Sequence, residues 1–218
     1  PERLIKLEQG WASTRPIAGT RPRGITPEAD QDYRNTLINS PKERAEHAML
    51  VDLERNDLGR VCKWGTVQVE EFLTIETYSH VMHLVSNVMG RLDTTATPID
   101  LIRAVFPGGT ITGCPKIRCM EIIESLEPLR RNLFYGSCGY LDRRGFLDLN
   151  ILIRTLLAVS PDHSLIPWHL LQNQTVQIWG QVGAGIVADS DPTQEWFESL
   201  QKAQAQWAAL QKIAEHSC

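Results

Sequence analysis

Prolines at positions 27, 41, 98, 115 and 192 fix where helices can begin, and this constrains the chain more than its apolar content does. Proline lacks an amide hydrogen and has a preset φ, so it is accepted in the first turn of a helix and rejected further in. Thr26-Pro27 reads as the cap and first helical residue of a polar helix running to about Ile38. Ser40-Pro41-Lys42-Glu43 repeats the signal as a capping box, with Glu43 at its third position. The helix it starts is expected to turn Ala45, Met49, Leu50 and Leu53 inward and to end near Asp57-Leu58-Gly59, with Gly59 as a left-handed cap. Thr97-Pro98 starts a short helix that stops before Phe106-Pro107, and Pro115 starts another that runs to Leu126. Pro192 opens a terminal helix with an apolar stripe of Trp196, Leu200, Ala203, Trp207 and Leu210.

Strand signals fill the intervals. Residues 4–7 read as a short strand, residues 11–17 as the next extended stretch, and Ala18-Gly19-Thr20 as a turn. Residues 66–92 carry β-branched side chains over two expected antiparallel strands. Residues 136–141 and 146–157 form a predicted hairpin through Asp142-Arg143-Arg144-Gly145. Residues 160–174 read as an inserted loop, and residues 176–187 as a strand interrupted by Gly183-Ala184-Gly185. Strands and helices are interspersed without a strict βαβ rhythm, so the expected class is α+β rather than a doubly wound sheet.

Composition narrows the function. At 218 residues, with 42% apolar and 22% charged, the chain is an ordinary globular one. Its formal charge of -4 offers no basic field, and basic residues cluster only at Arg130-Arg131 and Arg143-Arg144, so neither nucleic acid nor an acidic membrane surface is an expected partner. The five cysteines show no ligand spacing and no disulfide framework, which fits a reducing, cytoplasmic compartment. No apolar run approaches the roughly 20 residues that cross a bilayer, and no signal peptide is visible. The chain begins at Pro1, as a piece of a longer protein would.

Glu43 and Glu46 stand one helical turn apart, as do Glu195 and Glu198. Residues three apart share a helix face, so two such helices facing each other would make an all-oxygen site for Mg²⁺. Taken alone, Glu43 reads first as a capping-box residue, and Glu195 and Glu198 read first as a solvated helix face. Gly108-Gly109-Thr110-Ile111-Thr112-Gly113 reads as a glycine-rich loop before a helix, with amide groups available to an anion.

In this order the segments resemble the chorismate-binding enzymes, the family of anthranilate synthase component I and aminodeoxychorismate synthase component I. The likeness covers nearly everything up to Gln211, leaving residues 212–218 as a tail. It is carried by residues 16–24 and 43–57, by Tyr78-Ser79-His80-Val81-Met82-His83, and by residues 106–116, 148–155 and 183–190. It implies a two-layer α+β fold in which antiparallel sheets enclose the active site, with about half of the family's length absent from the N-terminal side.

The same resemblance implies that Glu46 and Glu198 hold Mg²⁺, with Glu43 and Glu195 acting through water, and that the metal holds the ring carboxylate of chorismate. Glu2 matches the carboxylic acid near the departing C4 hydroxyl, a role a buried carboxyl with a raised pKa can fill. Its alternative is a frayed terminal residue. His83 matches a histidine beside the substrate ring, where a hydrogen-bonded core histidine is the other reading. Ala18, Gly19, Thr20 and Thr110 match substrate contacts, and Gly183, Ala184 and Gly185 match backbone lying against a carboxylate. Arg154 and Lys202 match the cations for the two chorismate carboxylates, although alone they read as a strand-surface arginine and an i,i+4 partner of Glu198. Phe134 stands where many anthranilate synthases have tyrosine. Asp52, Arg55, Asn56 and Asp57 read as a structural network at the helix end.

The implied reaction is amination of chorismate to anthranilate, with ammonia from a glutamine amidotransferase subunit. The rival branch places the amino group at C4 and usually has a nucleophilic lysine at the position of Ala18. Its features here are the 106–113 loop, Asn132 and Asp148-Leu149-Asn150. A third reading is a non-catalytic fragment.

Overall fold

A computed structural model describes residues 2–160 and 176–215, in two compact units, Pro1–Ile151 and Leu152–Cys218. In chain order the first unit contains β1 (Glu2–Glu8), β2 (Trp11–Thr14), β3 (Ile17–Pro22), α1 (Pro27–Asn39), α2 (Pro41–Gly59), β4 (Gln68–Thr77) and β5 (Val81–Arg91). It continues with α3 (Pro98–Val105), α4 (Gly109–Thr112), α5 (Lys116–Leu126), β6 (Ser137–Leu141) and β7 (Leu147–Ile151). The second contains β8 (Leu156–Val159), β9 (Gln177–Gly180) and α6 (Pro192–Glu215).

All seven strands of the first unit form one sheet with antiparallel pairings. Its axis is β5. One edge of β5 pairs with β4; the other carries β3 over Val81 to Val85 and then β2 over Val88 to Arg91. From β2 the sheet continues through β1 and β7 to β6. A register shift between Arg3 and Ile5 breaks the alternation of β1, which is why Leu4 and Ile5 are both buried. α2 packs on β3 and β5, and α1 closes over Ile75, Met82 and Leu84 with the fully buried Leu37. Burying a leucine of this kind contributes roughly 2 kcal/mol.

Helix starts follow the local signals closely. Thr26 accepts from the Ala29 amide and Ser40 from the Glu43 amide, while Thr97 and Asp100 complete a reciprocal capping box. Only half of the box expected at Ser40 forms: the Ser40 amide donates to Leu37 O, and the Glu43 carboxylate goes to Arg21 instead.

Other expectations are corrected. Ala18-Gly19-Thr20 is not a turn but part of β3, where Gly19, at φ +81°, makes a bulge. The buried face of α2 is His47, Leu50, Val51, Leu53, Asp57 and Leu58, so Ala45 and Met49 point outward. Gly59 does not adopt a left-handed cap; Arg60 follows in helical geometry, and Cys62 N bonds Leu58 O. The 108–113 loop contains the single helical turn α4. The second arm of the 136–157 hairpin stops at Ile151, because Arg154 takes φ +52° and Leu156–Val159 pairs with β9 instead. Only Gln177–Gly180 of the 176–187 stretch is strand. The inserted-loop reading falls almost wholly on residues 161–175, outside those described. Along α6, Trp196, Leu200 and Trp207 are exposed.

Candidate active site

The bulge in β3 organises one cluster. Gly19 brings the backbone so close to α2 that a β-carbon there would lie 2.8 Å from Glu43 Oε2 and 2.9 Å from Leu37 Cδ1. Only glycine occupies such a left-handed, crowded position without strain. Arg21 Nη1 donates to Glu43 Oε1 at 3.2 Å. Glu46, one turn further along α2, is half-buried like Glu43. Pairing of β3 with β5 sets Thr20 opposite His83, and Thr20 Oγ1 shares a 2.9 Å hydrogen bond with His83 Nδ1. The Tyr78 ring lies 5.8 Å from that of His83. Ala18 is buried between Ile17 and the bulge.

Glu2 lies at the buried start of β1, so it is not a frayed terminal residue. Burial pushes its carboxyl up to about 7, against the opposing pull of the Thr110 hydroxyl and the Ile17 backbone. Thr110 sits on α4, which is pressed against α2 and β1: β-carbons at Gly109 and Gly108 would meet Leu53 and Leu4. Behind Glu2, on α2, is Glu54. Burial again comes first in raising it, to about 8, with the Glu2 and Asp57 charges adding to the shift and Thr14 and Lys116 opposing it. The Thr14 and Thr110 hydroxyls face these carboxyls but complete no hydrogen bond, and Glu54 Oε2 is likewise buried without a partner among the described residues. Asp57 is itself buried and bonded to Lys116 and Arg60.

The second unit gathers another set. Arg154 Nη1 donates to Lys202 O at 3.1 Å, and Lys202 Nζ donates to Gly183 O at 3.2 Å. Lys202 also pairs with Glu198 at 2.7 Å, so the i,i+4 contact readable in the sequence is formed. Glu195 Oε1 accepts from Ser190 Oγ at 2.6 Å, and Ser190 Oγ in turn accepts from the Val187 amide. Ala184 and Gly185 lie in the irregular segment after β9. Phe134 belongs to the first unit and stacks on Tyr135 with ring centroids 3.8 Å apart, while Arg131 lies over the Tyr135 ring.

Thus Glu2, Ala18, Gly19, Thr20, Glu43, Glu46, His83 and Thr110 belong to one unit, and Arg154, Gly183, Glu195, Glu198 and Lys202 to the other. No group of three or more potential metal ligands forms among the described residues. What each unit offers is a carboxylate pair, the hard-oxygen chemistry that Mg²⁺ takes. Arg21 and Ser190 each hold one member by a hydrogen bond. Sequence reasoning missed Arg21, Ser190, Thr14 and Glu54. Ser190 is the one with a readable signal, lying just ahead of the helix that carries Glu195.

Comparison with known proteins bears on the same residues. The chain is 64% identical over 213 residues to an anthranilate synthase component I-like protein of Synechocystis, covering 98% of this chain and 41% of that protein. It is 51% identical over 217 residues to aminodeoxychorismate synthase component 1 of Bacillus subtilis, covering all of this chain and 43% of that one. It also resembles the crystal structure of anthranilate synthase component I from Streptococcus pneumoniae, with a TM-score of 0.76 at 39% identity over 94% of this chain and 41% of that one. The chain therefore spans about two fifths of the length of these relatives. No helix among the described residues is long and apolar enough to cross a membrane. The profile of the chorismate binding enzymes matches residues 1–208, nearly the whole chain including both clusters, and this chain belongs to that family.

Proposed function

We propose that the intact protein aminates chorismate with loss of the C4 hydroxyl and then of pyruvate, giving anthranilate. The observation that carries this reading is the pairing of Glu2, an acid kept protonated up to about pH 7, with Ala18, a buried methyl that offers no nucleophile. The Ile17 backbone beside Glu2 links the two positions. Glu2 gives its proton to the C4 hydroxyl as the C–O bond breaks, so water departs rather than hydroxide. The ammonia lone pair forms the new bond at C2. Loss of the C2 proton with cleavage of the enolpyruvyl ether then releases pyruvate and leaves an aromatic ring.

The remaining residues bind and orient. Arg154 and Lys202 hold the carboxylates, Gly183 to Gly185 contribute backbone to one of them, and His83, fixed by Thr20, lies beside the ring. Glu46 and Glu198, with Glu43 and Glu195 through water, would hold Mg²⁺, which when bound supplies positive charge for the ring carboxylate. Ammonia would come from a glutamine amidotransferase subunit.

A second reading, amination at C4, is favoured by the 51% identity to a protein named aminodeoxychorismate synthase. Product chromatography separates the two. Anthranilate and pyruvate, with no covalent adduct by mass spectrometry, are expected from the intact protein, and 4-amino-4-deoxychorismate as main product overturns the reading. Ala18→Lys should abolish anthranilate, since an amine placed there can occupy C2. Mg²⁺-dependent consumption of chorismate with ammonium by this chain alone would exclude a non-catalytic fragment.

A further inference from the structure

Residues 127–136 link α5 to β6, and neither they nor α5 contain a buried residue. Apolar burial therefore does little to hold this segment in place. It is nonetheless tightly folded: Phe134 N donates to Arg131 O and Gly136 N to Leu133 O, both at 2.9 Å, which makes two overlapping turns around Phe134. Each turn contains a left-handed residue that is not glycine, Asn132 at φ +49° and Tyr135 at φ +63°. Backbone of that kind persists only where its surroundings determine it. Here the surroundings converge on Arg131. Its Nε and Nη2 form a fork on the Glu127 carboxylate at 2.9 and 2.6 Å, and Nη1 donates to Ile111 O of α4 at 2.8 Å. Its Cζ lies over the Tyr135 ring, 4.8 Å from the centroid, and Phe134 stacks on that ring in turn.

Ile111 directly follows Thr110, and Phe134 lies in both of the turns that begin at Arg131 and Leu133. We propose that Arg131 is a positioning residue for substrate: its guanidinium clamps the turns around Phe134 to α4, so that Thr110 and Phe134 meet chorismate at one fixed spacing. This rests on the functional reading in which those two residues contact chorismate. Arginine is the side chain such a clamp needs. A carboxylate, a carbonyl and a ring face lie in different directions, and a rigid planar fork serves all of them. Lysine keeps the charge but has neither the fork nor the planar face, so it cannot keep every attachment. This contrast separates a clamp from a direct electrostatic pull of Arg131 on the anionic substrate. If charge alone acted, lysine would replace arginine, and neutralising Glu127, the acid that offsets that charge, would tighten binding. With a clamp, lysine fails and loss of the Glu127 charge weakens binding.

The test uses the intact protein, first with chorismate and Mg²⁺ but without ammonia or glutamine, where calorimetry reads Kd, and then with ammonium, where KM and kcat are read. Arg131→Ala should raise Kd and KM for chorismate about tenfold with kcat within about twofold, the pattern of a contact made equally in the ground and transition states. Arg131→Lys should recover little of this. Glu127→Gln should raise Kd by less, in the same direction. Exchange of the Phe134 and Gly136 amides should quicken in all three variants, while the melting temperature stays within about 3 °C of wild type because only partly exposed ion-pair and stacking contacts are lost. An arginine that served stability alone would lower the melting temperature and leave Kd unchanged. Wild-type Kd in Arg131→Ala, wild-type Kd in Arg131→Lys, or tighter binding in Glu127→Gln each overturns the clamp. Chorismate that binds the wild-type protein but is aminated at C4 overturns the anthranilate reading, and the variant Kd values still decide the clamp. A wild-type protein that binds no chorismate overturns both.

Discussion

Gly19→Ala is the most demanding test of the β3 bulge. A left-handed backbone costs a residue with a β-carbon about 1–2 kcal/mol. The added carbon would stand 2.8 Å from Glu43 Oε2 and 2.9 Å from Leu37 Cδ1, against an ordinary contact of 3.4 Å or more. Leu37 is fully buried and cannot swing away, so overpacking adds about 1–3 kcal/mol. The Glu43 carboxylate can retreat, but only by loosening its bond to Arg21. The expected result is a loss of about 2–5 kcal/mol, read as a fall in melting temperature of at least about 5 °C, with a higher Mg²⁺ concentration at half-maximal chorismate consumption. Adding Glu43→Ala should recover part of the stability, since it removes one of the two clashes while leaving the φ strain and Leu37. A coupling of about 1 kcal/mol is expected between the two sites. A Gly19→Ala protein that melts within about 1 °C of wild type and keeps its Mg²⁺ titration would show that the bulge does not position Glu43.

Three further outcomes follow from the site. Glu46→Gln or Glu198→Gln in the intact protein should remove most activity and weaken Mg²⁺ dependence, because an amide lacks the charge of a hard-cation ligand; an unchanged Mg²⁺ titration in both defeats the metal assignment. Glu43→Gln should be milder. Chorismate amination that needs protonated Glu2 should fall as pH rises through about 7, and Glu2→Gln should be nearly inactive at every pH; a Glu2→Gln enzyme with the wild-type profile removes Glu2 from the chemistry. The folding linkage has the same sign: the folded pKa of Glu2 lies above its ordinary 4.5, so its contribution is complete below 4.5 and lost as pH rises through about 7.

What could be read from the chain divides by range. The caps at Thr26, Ser40 and Thr97 are local chemistry, a hydroxyl three residues from an amide, and the structure forms all three. Gly19 was misjudged because a glycine between small residues serves a turn and a strand bulge equally well, and only pairing with the distant β5 decides. The inward face of α2 was misplaced for a similar reason: Ala45 and Met49 keep helical spacing, but His47 is drawn inside by a 2.6 Å bond to Ser86 of β5. The i,i+3 acid pairs were visible as spacing. Glu54 was not, because inside a charged run nothing distinguishes a carboxylate that will be buried from one that stays in water.

The way β5 is shared also sets the order in which the sheet can come apart. β4 follows the whole of it on one side, whereas β3 and β2 divide the other side end to end. Opening β4 exposes a single edge, but opening β5 severs three neighbours at once. Amide exchange should therefore be slowest along β5 and faster in β3, β4 and β6, at the margins, and the opposite ranking would mean that the sheet does not yield from its edges inward. The strand that carries His83 is then the last part of the sheet to fluctuate, and a histidine fixed there is held still by the fold's most persistent hydrogen bonds.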